Sequence, residues 1–254
     1  MKKRFVLLSL LSLIICMPSF AEEYTPKKNP NFRAKAFSVS PKRKVYFTQG
    51  NLISQRIEDG DIAFMNNQYD VFRTFSSEYP EWANMHEFVG KESYLRSSRI
   101  VNGKMPNEVQ YRCLTASEWE FILETRPKAA QLQSLAKVND VNGYILLPDA
   151  WVLPAGMKFS PKAETYEGNI YTAEEWKKME LAGAIFLPAS GYVYSWFGFK
   201  SVNEKGAYWT SSTAEWSNGI GGEICFDKSS NAHIVFTNDK DSSLDAIRLV
   251  YDVK

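Results

Sequence analysis

Catalysis needs nucleophiles, bases or metal ligands placed together, and this 254-residue chain offers few of them. Its two histidines are His86, in an aperiodic stretch, and His233, in an alternating segment where a lone histidine reads as a sheet-surface residue. The sequence holds no Gly-Lys-Ser/Thr phosphate loop, no Gly-x-Ser-x-Gly elbow and no His-Glu-x-x-His helix. Gly219-Ile220-Gly221-Gly222 precedes a strand pattern and reads as a turn. Transition-metal sites would need more His and Cys than are present. Asn238, Asp239, Asp241 and Asp245 crowd one polar stretch before the last strand. Such oxygen ligands suit calcium, and such residues equally make turns by bonding their own backbone. The expectation is a chain that is not an enzyme and carries no cofactor.

Aromatic residues give the stronger hint. Tyr192, Tyr194, Trp196, Phe197 and Phe199 lie between two strand-like runs, and Trp216 follows the second. Trp and Phe on a loop can stack on sugar rings or anchor a protein partner; they can also plug the core beneath the loop. The candidate ligand contacts are Trp196, Phe197, Phe199 and Trp216. Strand alternation places Tyr192, Tyr194 and Trp196 on one face, and Phe197 and Phe199 on the other.

The elements that must hold these residues follow from pattern. Residues 1–21 read as a signal peptide: Lys2, Lys3 and Arg4, an apolar run from Phe5 to Met17, then Ser19-Phe20-Ala21 as a cleavage site. Cys16 lacks the small residue before it that lipid attachment uses. The apolar run is short for a membrane span, and no later segment is long and uncharged enough to be one. Loss of the signal removes three positive charges and no acids, taking the formal charge from +1 to −2. A near-neutral chain without a basic cluster argues against nucleic acid and anionic membrane as partners. Export makes a disulfide between Cys113 and Cys225 chemically possible, although both have the apolar neighbours of an unpaired cysteine.

Residues 22–36, rich in Pro, Lys and Asn, read as a flexible leader, and residues 37–254 as one domain. Alternation on both sides of Pro41-Lys42-Arg43-Lys44 predicts a hairpin. Residues 72–106 show no period and read as packed loop. Thr115-Ala116-Ser117-Glu118 and Thr172-Ala173-Glu174-Glu175 are both capping boxes, each opening a helix with a tryptophan on its core face, Trp119 and Trp176. Each helix leads to a buried strand ending in Leu-Pro, at Leu147-Pro148 and Leu187-Pro188. The resulting class is α+β: two helices packed on small, mostly antiparallel sheets with much loop.

Several runs, in this order, resemble a bacterial C-type-lectin-like family. They are Val45 to Leu52, Tyr111-Arg112-Cys113-Leu114-Thr115-Ala116-Ser117-Glu118-Trp119, Val141 to Asp149, Gly183 to Tyr192, Gly206-Ala207-Tyr208-Trp209-Thr210-Ser211-Ser212 and Asp245-Ala246-Ile247-Arg248-Leu249-Val250-Tyr251. The family includes the major paralogous domain proteins of Bacteroidetes and Fibrobacter and, more distantly, the formylglycine-generating branch. The resemblance implies a C-type-lectin-like fold and a binding surface on its loops. Relatives usually carry Gly and Ser where this chain has Ser195-Trp196-Phe197-Gly198-Phe199. The formylglycine branch relies on a late cysteine pair, and here only Cys225 is late. Animal lectins of the fold pair an Asn-Asp with a Glu-Pro-Asn or Gln-Pro-Asp tripeptide, which this chain lacks. The expected function is an exported binding protein (periplasmic, surface or extracellular) that recognises a glycan or protein through loops 189–222. The alternative is a structural subunit of a surface complex.

Overall fold

The structure, a computed structural model, describes residues 34–52, 61–62, 64–71, 95–96, 99–100, 110–194, 199–213, 221–237 and 243–253. The stretch read as a signal peptide and most of the stretch read as a leader lie outside these residues. The first strand opens at Ala36, within the span assigned to the leader.

In chain order the strands are β1 (Ala36–Ser38), β2 (Lys44–Phe47), β3 (Asp61–Ile62), β4 (Leu95–Arg96), β5 (Arg99–Ile100), β6 (Gln110–Tyr111), β7 (Gln133–Val138), β8 (Val141–Leu146) and β9 (Ile170–Tyr171). They continue as β10 (Ile185–Pro188), β11 (Tyr192–Tyr194), β12 (Phe199–Lys200), β13 (Lys205–Thr213), β14 (Gly221–Asp227), β15 (Ser230–Thr237), β16 (Ser243–Asp245) and β17 (Val250–Asp252). Helices α1 (Ala116–Glu120) and α2 (Ala173–Leu181) complete a mixed α and β chain that is mostly strand. Among the described residues no helix is long and apolar enough to cross a membrane.

The centre is a sheet of order β10-β8-β7-β9. Its β7–β8 hairpin turns on Asn139 and Asp140, with φ of 47° and 64°, the left-handed pair that a two-residue turn of matching twist requires. The two strands read as ending in Leu-Pro pair with each other, Ile185 opposite Leu146 and Leu187 opposite Tyr144. Alternation then sorts the side chains. Leu135, Tyr144, Leu146, Ile185 and Leu187 join Trp119 and Ile122 in one core. Ala136, Val138, Ile145, Leu147 and Phe186 join Trp176 and Met179 in a second. A sheet covered on both faces needs an unbroken apolar run, which is why Tyr144-Ile145-Leu146-Leu147 shows no alternation.

Both capping boxes form, Thr115 with Glu118 and Thr172 with Glu175. Beyond α1 the chain makes a π-helical turn, Phe121–Thr125, and leaves the helix at Arg126 ahead of Pro127. Helix α2 stops at Gly183, whose φ of 98° suits glycine; its N–H bonds Glu180 O, and Ala184 N–H bonds Met179 O.

The stretch 72–106, read as loop, contains β4 and β5. They are two residues each and pair at long range, β5 parallel with β3 and β4 antiparallel with β6. Strands that short leave no periodicity to read. The first and last described strands meet in a sheet of order β1-β2-β17, with Val250 opposite Phe47.

Candidate functional site

The sheets that carry the aromatic segment are β12-β11-β16 and β13-β14-β15. Of the candidate contacts, Phe199 is described: it lies half-buried on the outer strand β12, opposite Val193. Facing residues of an antiparallel pair share a face, so Phe199 stands on the other side of the sheet from Tyr192. Trp196, Phe197 and Trp216 lie outside the described residues.

The register shows where the connections that bear them must start. Residues 195–198 join β11 to β12, 214–220 join β13 to β14, and 238–242 join β15 to β16. Tyr194 pairs with Ser243, while Gly221 pairs with both Thr213 and Thr237. All three connections therefore leave from paired strand ends, and the third ties the two sheets together. The six peptide steps from Thr237 to Ser243 span at most about 20 Å, which limits how far apart those two ends can be.

Strands β13, β14 and β16 enclose charge. Tyr192 is half-buried, pairs with Asp245 and has the Lys205 Nζ 5.4 Å from its ring centroid. Asp245, Glu223 and Cys225 are buried. Burial disfavours the Lys205 ammonium, but the nearby Cys225, Glu223 and Asp245 outweigh it and raise its pKa. Burial, with Glu223 and Asp245, pushes the Cys225 thiol up to about 12, Lys205 opposing. Cys113, also buried, is pushed up to about 12 by burial, against the pull of Arg112. Both are free thiols. They stay protonated near neutral pH, so neither is an activated nucleophile.

Asp245 corrects one expectation. It belongs to strand β16 and is 1% exposed, not part of an open polar loop, because the ladder with β11 withdraws it. Asn238, Asp239 and Asp241 lie outside the described residues. Among the described residues no group of three or more His, Cys, Asp or Glu is arranged to hold a metal ion. His233 is exposed on β15, its Nδ1 2.9 Å from Asn231 O; His86 lies outside the described residues.

Three arginines brace the scaffold. Arg248 donates from Nε to Asn51 Oδ1 at 2.8 Å, and from its two terminal nitrogens to Thr48 O at 3.3 Å and Phe186 O at 2.8 Å. Asn51 in turn donates to the Tyr208 hydroxyl, which donates to Pro188 O. Burial pulls the Arg248 pKa down to about 10, against Tyr208 and Glu180, so it remains a cation near neutral pH. Arg112 forks onto both oxygens of Glu118, the capping-box glutamate of α1, and reaches Asp252 at 2.9 Å. Arg126 donates to Ile122 O, meets Asp149 at 3.3 Å and lies over the Phe37 ring. Arg248 and Arg112 lie within the sequence motifs, which do not by themselves reveal these partners. The available signal was a single cation inside an otherwise apolar run, since a buried arginine must find acceptors.

No protein-family model, no curated protein and no solved structure matches this chain.

Proposed function

We propose that the chain is an exported, non-catalytic binding protein of C-type-lectin-like architecture. In this reading it recognises a glycan or a protein through the connections around 189–222, with Trp196, Phe197, Phe199 and Trp216 as contacts. The observation that carries the reading is the register: the connections bearing the aromatic residues start from paired strand ends, and a third connection links the two sheets. Loops held on rigid strands are where recognition concentrates, and aromatic side chains there offer stacking area at low entropic cost. The protonated thiols and the exposed, locally bonded His233 support a role without covalent chemistry.

Glycan arrays and pull-downs with wild type and the Trp196→Ala/Trp216→Ala variant test the proposal. Binding should be lost in the variant while thermal unfolding stays within a few degrees of wild type. A partner held with undiminished affinity by the double variant places the site elsewhere. A stoichiometric protein partner indifferent to these residues favours the assembly role.

A further inference from the structure

Sheet edges leave backbone N–H and C=O groups open to a new strand, and folded proteins close them by caps, charges or brevity. Among the described residues this chain does so repeatedly. Gln68 caps β10: its amide donates to Ala184 O at 3.1 Å and accepts from the Phe186 N–H at 2.5 Å. Arg112 bonds Val250 through both its N–H and its C=O at 2.9 Å, closing β17. Ala246 bonds Ala207 O and the Trp209 N–H along β13. Strands β9 and β12 are two residues long and β1 is three.

Among the described residues, strand β15 lacks these protections beyond its beginning. It is eight residues long, it is the outer strand of β13-β14-β15, and Ser230–Thr237 contains no Asp, Glu, Lys, Arg or Pro. Local contacts occupy its beginning, where the His233 ring meets Asn231 O and the Ala232 amide meets the Tyr144 hydroxyl. From Ile234 onward, β14 is its sole strand neighbour among the described residues. There Phe236 is 43% exposed, and Ile234 and Val235 are half-buried.

We propose that β15 is a self-association edge that pairs antiparallel with β15 of a second copy of this chain across a two-fold axis. The charge pattern selects that occupant. Like charges facing each other are what keep identical edges apart, and this edge has none. Pairing centred on Val235 sets Ile234 of each copy opposite Phe236 of the other, giving the exposed phenylalanine an apolar neighbour. Val235 itself faces Glu223 across the ladder, on the side away from the core contact made by Ala232 and Ile234. The interface is independent of the ligand reading above.

Sedimentation velocity and light scattering on the wild-type protein should show the mass doubling as concentration rises. Val235→Lys sets two lysines face to face and should stay monomeric at every concentration, with a wild-type circular dichroism spectrum; Val235→Thr should still dimerise. Mixing Val235→Lys with Val235→Glu should restore a dimer that neither forms alone. Hydrogen exchange on wild type is a readout that needs no variant: the 234–237 amides should gain protection with concentration. A wild type monomeric throughout, exchange at 234–237 that ignores concentration, or a folded Val235→Lys that dimerises like wild type overturns the proposal.

Discussion

Arg248 shows what a single residue decides here. Its guanidinium ties the turn after β2 (Thr48, Asn51) to Phe186 on β10 while only 2% exposed. Replacing it with methionine would keep much of the volume but leave Asn51 Oδ1 and two carbonyls short of a donor. Leaving a buried acceptor without its donor costs about 1–3 kcal/mol. Urea denaturation of Arg248→Met should show a midpoint loss of that size, and an unchanged midpoint would contradict the bracing role. The thiols give a second prediction. With Cys113 and Cys225 buried and both pushed up to about 12, a thiol reagent at neutral pH should label neither in the native protein and both in denaturant. Carboxylates set the acid limit. Asp149 is opposed by burial but held below its usual 3.8 by Ser38, Arg126 and Lys44; Asp252 is likewise opposed by burial and held down by Arg112 and Arg43. A depressed folded pKa contributes stability that is complete above the unfolded value and lost as pH falls through the folded one. Melting temperature should therefore drop on acidification below about 4, the ordinary aspartate range, and Asp149→Asn should flatten that drop.

Elements show how such residues become positioned. Trp119 and Trp176 sit at equivalent points of two capped helices, yet they enter different cores on opposite faces of one sheet. Trp119→Ala should cost about 3–5 kcal/mol, as truncation of a buried tryptophan does, read as a shift of the denaturation midpoint. The two caps should differ in worth. Glu175 is half-buried and serves its helix alone, whereas Glu118 is buried and also holds Arg112. Glu118→Gln should destabilise more than Glu175→Gln. The helices, the first hairpin and the two Leu-Pro strands were legible because each rests on local signals: caps, alternation and apolar runs. What stayed hidden was non-local. The pairing of β8 with β10, the division into two cores and the fork from Arg112 to Glu118 depend on contacts that no window of sequence contains. Asp245 departs from its sequence pattern for the same reason: its polar neighbours suggest a loop, and only the ladder to β11 reveals a buried strand.

At the scale of the molecule, the chain closes on itself. Strand β17 completes the sheet begun by β1 and β2, pairing Val250, Tyr251 and Asp252 with Phe47, Tyr46 and Val45. Its removal would strip the outer neighbour from β2, delete the aromatic contacts of Tyr251 with Tyr46 and Tyr111, and take Asp252 from Arg112. It would also delete Val250, a fully buried member of the first core. Full burial of one such side chain is worth about 1.5–3 kcal/mol, before the lost ladder and ion pair are counted. Native stability totals only about 5–15 kcal/mol, so the sum is a large part of the whole. A chain ending at Leu249 should therefore fail to unfold cooperatively or be recovered insoluble, whereas one ending at Asp252 should keep most of its melting temperature. Asp252→Ala separates the contributions: it removes the ion pair but leaves the strand, and should fall between the two. If the chain ending at Leu249 melts like wild type, closure of the ends is dispensable, and the stability of the fold must come from the central sheet and its two helices alone.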